Sequence, residues 1–224
     1  MNKFDLTRKI EKFAPLDTQE KWDCSGWLVS TSKKDINKVM LALTVTDDII
    51  KQAKENNCDM IISHHPLFYI PLEYADIDIY CAHTNMDIAD GGVTDTLIRT
   101  LGYTPQKTDE NFVRTVKFDK PKGVNEFFAE LKKISPNTRY INNNDVEKIQ
   151  TVGFCGGSGS EFISTTKVDA FVTGDLKFHT ALDSKCVVFD IGHFESEIFV
   201  LPVFEKILGI DVVYAKERSP FLYK

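Results

Sequence analysis

The chain has five histidines, His64, His65, His83, His179 and His193, and each lies in or beside one of four short segments: SHH, AHTNMD, TGD and DIGH. Histidine together with carboxylates such as Asp87 and Glu197 is the donor set for Zn, Fe, Mn or Ni. The five cysteines (Cys24, Cys58, Cys81, Cys155, Cys186) are scattered and never form CxxC, which disfavours a thiolate zinc site. His193 and Glu197 are four residues apart, so a helix starting just after Gly192 would put both on one face. Adjacent histidines diverge on a strand, but on a strand-to-loop turn His64 and His65 can point toward two neighbouring ions. A carboxylate such as Asp87 or Glu197 can bridge two such ions. Taken singly, each signal has a plainer reading. A His-His pair or an H-x-x-x-E step is usually solvated surface, and Asp87 or Asp175 can simply cap a turn or helix.

The elements that would position these residues turn weak signals into a joint one. Leu6, Ile10 and Phe13 recur at helical spacing and predict an opening helix that ends near Pro15. WDCSGWLV, which holds both tryptophans, reads as a turn. VMLALTV (39–45) reads as a buried strand, with Thr46 and Asp47 capping the next helix. Strand DMIIS then leads into His64-His65-Pro66, and strand IYCAH into Thr84-Asn85. TDTLIRTLG predicts a helix closed by Gly102. Beyond it come strand FVRTVKF, a helix through Val124, Phe127, Phe128, Leu131 and Ile134, and strands TRYI and IQTVGFC. After the loop GGSGS follow a short helix, strand VDAFVTG, a turn through Asp175–His179, strand VVFDIG, a helix from about Glu195 to Leu208, and strand DVVYA.

Strands alternating with helical patterns imply an α/β protein of two lobes with mixed sheets. The boundary signal near 104–111 gives a first lobe over 1–108, completed by 195–224, and a second over 109–194. These four segments each follow the carboxyl end of a predicted strand, the edge at which open α/β sheets collect ligands. That shared placement favours a metal site there.

The bulk properties limit the alternatives. The chain has 224 residues with a net charge of −6, and that acidic balance disfavours a nucleic-acid partner. No signal peptide and no membrane-length apolar run is visible, and the scattered cysteines fit reduced core residues, so a cytoplasmic location is expected. GGSGS lacks a following GK[ST], so a structural tight turn is favoured over a phosphate cradle.

The ordered set WDCSGWLV, SHHPLF, AHTNMDIADGGVTDTL, GFCGGSGS, TGDLKFH and DIGHFESE resembles the NGG-interacting-factor-three-like dinuclear metal-centre family, whose bacterial members are labelled GTP cyclohydrolase type 2 homologues. The match runs from about Phe4 to Pro220. The resemblance implies two divalent ions per subunit, held at strand carboxyl ends between the lobes by His64, His65, Asp87, His193 and Glu197. It also implies a toroidal homohexamer. His83 and His179 would support these ligands or shuttle protons, and Glu195 would face away. The chain departs from the family in having WDCSGW where WDNVGL is usual. It also has a short 67–82 segment where relatives carry an extra helix, which alters the rim and leaves the ligands intact.

Three functions fit this pattern. One is a metal-dependent hydrolase acting on a small molecule: a nucleotide, a phosphoester or a cyclic amide. A second is a non-enzymatic metal-binding or delivery protein, and a third is a ring-shaped interaction scaffold.

Overall fold

Two runs of parallel strands, each too apolar to face water, organise the chain into two units. The computed structural model describes residues 1–222. The first unit comprises Met1–Gly92 with Val200–Arg218, and the second is built on Val93–Phe199.

In the first unit, helix α1 (Lys3–Phe13) starts at Asn2, whose side chain accepts the Phe4 amide, and buries Leu6 and Ile10. The sheet contains β1 (Gly26–Val29), β2 (Val39–Ala42), β3 (Met60–Ser63), β4 (Asp78–Cys81) and β11 (Val212–Tyr214). Its order is β1-β4-β3-β2-β11, parallel throughout except for β1 against β4. Every residue of β2, β3 and β4 is buried, which explains their unbroken apolar runs. Helix α2 (Asp47–Glu55) begins at Thr46, whose hydroxyl accepts the Ile49 amide. It lays Ile49 and Ala53 over Met40, Ile61 and Ile79. A short helix α3 (Thr84–Ile88) follows β4, and α8 (Leu201–Leu208) returns to pack on α1. The Lys3 ammonium and the Asp78 carboxylate pair at 3.0 Å in this core.

The second unit begins with α4 (Val93–Thr100), whose Leu97 and Ile98 pack with Phe127, Phe154 and Phe189. Its remaining elements are β5 (Gln106–Lys107), β6 (Arg114–Gly123), α5 (Val124–Leu131), β7 (Arg139–Ile141), β8 (Lys148–Ser158), β9 (Ala170–Gly174), α6 (Phe178–Asp183), β10 (Val187–Asp190) and α7 (His193–Glu197). The sheet order is β5-β6-β8-β9-β10-β7. Strands β8, β9 and β10 are parallel, and β5, β6 and β7 pair antiparallel. Here the buried ion pair is Arg114 with Asp95, at 2.7 Å.

Three local expectations change. Half of WDCSGWLV is strand, because Trp27 packs edge-on against Tyr80 at 5.4 Å as β1 pairs with β4. GGSGS begins as strand, since β8 runs on through Ser158. The long last helix is two, α7 and α8, separated by the tighter turn Ile198–Val200; Pro202 has no N–H to continue the ladder. No described helix is long and apolar enough to cross a membrane.

Candidate metal centre

In the first unit the ends of two adjacent strands bring three imidazoles together. Past β3 the ladder continues for two residues, with His64 N–H donating to Ala42 O (3.2 Å) and His65 N–H to Leu43 O (2.8 Å). The His64 and His65 rings lie 5.0 Å apart between centroids. His83, just past β4, lies 5.3 Å from His64 and 5.8 Å from His65. One ligand atom from each of the three lies within 4.8 Å of the others. Asp87, one turn into α3, brings Oδ1 to 3.4 Å from His64 Nε2.

The second unit sets a histidine and a carboxylate on one helical turn. His193 opens α7, and its Nε2 lies 3.1 Å from Oε2 of Glu197. Glu197 is buried. In both units, then, an Nε2 confronts a carboxylate oxygen, an arrangement that either a proton or a metal cation satisfies.

The same ring nitrogen is tethered in all four histidines. His64 Nδ1 lies 2.9 Å from Ala82 O, and His65 Nδ1 2.7 Å from Thr44 Oγ1. His83 Nδ1 lies 3.0 Å from Asp23 Oδ1, and His193 Nδ1 2.7 Å from Asp175 Oδ2. Tethering Nδ1 fixes each ring and turns Nε2 toward the prospective ion, which is how metal-binding imidazoles are usually oriented. The residues therefore fit a divalent ion by donor type and by orientation.

Electrostatics separates the two carboxylate-backed histidines. Burial depresses His83, the imidazole of His64 adds to this, and Asp23 only partly offsets them, leaving its pKa at about 4. His83 is thus neutral near pH 7. Burial also opposes the charged form of His193, but Glu197 and then Asp175 outweigh it and raise its pKa to about 9. In the metal-free chain a proton holds that place. Burial pushes the Asp23 carboxyl up, yet hydrogen bonds from Thr84 and His83 prevail and hold it at about 2.

Glycines make room for the second donor pair. A Cβ on Gly157, whose φ is +64°, would sit 2.2 Å from Glu197 Oε1, and one on Gly174 would sit 2.6 Å from the His193 amide nitrogen. The amides of Gly156, Gly157 and Gly159 donate to Thr94 Oγ1, Ser196 Oγ and Thr173 Oγ1. GGSGS is thus a close-packed wall beside Glu197, with these three amides already engaged, which leaves the phosphate-cradle alternative without them.

Sequence reasoning missed Asp23 and Thr44 as tethers and read Asp175 only as a cap. Asp175 does carry one mark of a special role, a left-handed φ of +49° that non-glycine residues seldom adopt. His179 lies exposed on α6 with its ring against Phe178. It lines a cleft with Ser160, Lys167, Asp183 and Cys186, and none of the other candidate residues belongs to that lining. Glu195 is half-buried near Gly192.

Comparison with known proteins adds a family and a fold. Residues 1–217 match the family described as Duf34/NIF3 (NGG1p interacting factor 3). A Clostridium perfringens protein named "GTP cyclohydrolase 1 type 2 homolog" is 32% identical, with 97% of each chain covered. The Drosophila melanogaster "NIF3-like protein 1" is 27% identical over 80% of this chain and 70% of its own. Among solved structures, reduced HcgD from Methanocaldococcus jannaschii superposes with a TM-score of 0.83 at 26% identity, covering 97% of this chain and 98% of that one. A Bacillus cereus protein related to NIF3 gives 0.86 at 18% identity, covering 100% and 99%, and shows the fold alone.

Proposed function

The chain belongs to the Duf34/NIF3 family, and from that premise we propose that it binds two divalent metal ions through His64, His65, Asp87, His193 and Glu197 and uses them to hydrolyse a nucleotide, phosphoester or cyclic amide. The observation that carries this reading is the common tethering of the imidazoles, each held at Nδ1 by a different oxygen. Surface histidines have no reason to share that arrangement, whereas metal-binding ones require it. Divalent ions at such donors polarise a phosphoryl or carbonyl oxygen and lower the pKa of water. The chain's own part is to hold the donors rigid: Asp23, Thr44, Ala82 and Asp175 fix the rings, and the glycine wall fixes Glu197. The names of the relatives make GTP the first nucleotide to try. The same reading carries a ring of six chains, tested by the mass in solution against the 25.4 kDa of one chain.

The test combines metal analysis of protein purified without added ions with hydrolysis of GTP, linear and cyclic phosphodiesters and cyclic amides. Asp87→Ala and His193→Ala are each expected to lose metal and to reduce turnover by about 100-fold or more. Tight metal without turnover on any substrate would instead support a binding or delivery protein. Unaltered metal content in both variants would overturn the ligand assignment.

A further inference from the structure

We propose that the cleft lined by His179 in the second unit is a binding site for a small sugar phosphate. None of His64, His65, Asp87, His193 or Glu197 lines it, so this site does not depend on the metal-binding reading above.

The topology of the sheet makes the cleft. Strands β8, β9 and β10 are parallel neighbours, so the connections 159–169 and 175–186 both cross the same face of the sheet. Between them lies a cleft of about 680 Å³, a size typical of small-molecule sites. Its floor is apolar, with Ile163, Val168 and Cys186 packed with Phe171 and Val188 of the sheet. The walls are braced by the chain itself. Asn143 donates its side-chain amide to the carbonyls of Ala181, Leu182 and Ser184, at 2.9, 3.1 and 3.2 Å, and Asn144 donates to that of Lys185. Ser160 Oγ accepts the Lys177 amide and donates to Asp175 O, which ties one connection to the other. A cleft held in this way presents its side chains to a ligand with little left to order.

The side chains around the rim select the ligand. Lys167 and Lys185 stand just before the paired starts of β9 and β10, where Ala170 lies beside Val187, so their backbones come to one end of the cleft. Neither ammonium has an ion pair among the described residues, although the carboxylates of Glu161 and Asp183 line the same cleft. The two signs are thus held apart and not cancelled against each other. Two ammonium groups match the double charge of a phosphate monoester, and the carboxylates accept from the hydroxyls of a sugar. Ser164, Thr180 and His179 add polar groups whose side chains make no hydrogen bond among the described residues. No Phe, Tyr or Trp belongs to the described lining, so a nucleobase finds no stacking platform there. The C–H face of a sugar needs only the apolar floor.

The experiment titrates the full chain, stripped of metal with chelator, with ribose 5-phosphate and glucose 6-phosphate by calorimetry. The unphosphorylated sugars, inorganic phosphate and adenosine monophosphate are titrated beside them. Stripping keeps any bound ion from holding the phosphate, so a failure here leaves the metal-binding reading standing. At least one sugar phosphate is expected to bind about 10-fold or more tightly than its sugar or phosphate alone. Lys167→Met with Lys185→Met, both at exposed positions, is expected to weaken that binding by about 10-fold, and Thr180→Val by about 5-fold. Absence of binding by either sugar phosphate overturns the proposal. So does binding that the lysine and Thr180 variants leave unchanged, which places the ligand elsewhere. Inorganic phosphate binding as tightly as the sugar phosphates, or adenosine monophosphate more tightly, overturns the ligand class.

Discussion

In the first unit Asp59, the residue before β3, accepts the amides of Asn37 and Lys38, the two residues before β2. In the second, Asp169, the residue before β9, accepts the amides of Gln150 and Thr151 in the neighbouring strand β8. Both aspartates also donate their own amide across the sheet, Asp59 to Lys38 O and Asp169 to Thr151 O. The entrances of the two parallel sheets are therefore built alike, and the exits are not. Two residues past Ile62 and Val172 respectively, the first unit has His64 followed by His65, where the second has Gly174 followed by Asp175. The first sheet presents donors directly on its strand ends. The second puts its donors on α7 and uses the strand end to support them, with glycine for clearance and a carboxylate to hold His193. One framework thus serves two designs, and the difference lies in side chains at the exit edge.

The buried ion pairs offer the strongest way to test how far this likeness extends. Lys3→Met leaves Asp78 buried without its cation, and Asp78 Oδ2 already has no hydrogen-bond partner among the described residues. A loss of about 3–5 kcal/mol is expected by urea denaturation. Arg114→Met should cost less, because Asp95 keeps Arg99 at 3.3 Å. Equal losses would show that Arg99 lends Asp95 nothing.

A smaller effect is expected at the unlike exits. Gly174→Ala forces a methyl onto the backbone of His193 and should cost about 1–3 kcal/mol, with weaker metal binding. An unchanged unfolding midpoint would mean that α7 yields freely, and the clearance argument would fail.

The smallest effect belongs to the like entrances. Burial raises both carboxyls, but hydrogen bonds win: from Lys33, Asn37 and Lys38 for Asp59, and from Thr151 and Gln150 for Asp169. Both pKa values fall below the ordinary 3.8. Their stabilisation is accordingly complete above that value and is lost as pH falls through the folded-state values. Asp59→Ala should cost about 1.5 kcal/mol at pH 7, and the more exposed Asp169→Ala about half as much after solvent screening. Both gaps should close in acid-unfolding curves below pH 4. A gap that persists there would assign the effect to packing.

Much of the fold was legible because its signals are local. Thr46 caps α2 and Gly102 follows α4 with φ of +83°, as side-chain chemistry and backbone freedom require. The donors were legible as residue types on strand ends. What stayed hidden was pairwise and distant in sequence. Asp23 reaches His83 across 60 residues and Thr44 reaches His65 across 21, and no periodicity encodes such partners. The wall beside Glu197 was misread for a related reason: Gly156 and Gly157 look like a loop until the buried carboxylate they accommodate is known. The strand Gly26–Val29 was hidden by its neighbouring turn, since an edge strand of four residues carries little pattern.

The return of the chain to the first sheet has a consequence in time. Strand β11 completes that sheet beside β2, and Glu217 beyond it accepts the amides of Leu43 and Thr44, the residue that holds His65. On a ribosome, residues 1–92 emerge early and lack this edge and this clamp until residue 217 has been made. The clamp on Thr44, and with it the finished edge beside β2, therefore forms only after residue 217 has been made, long after His65 itself.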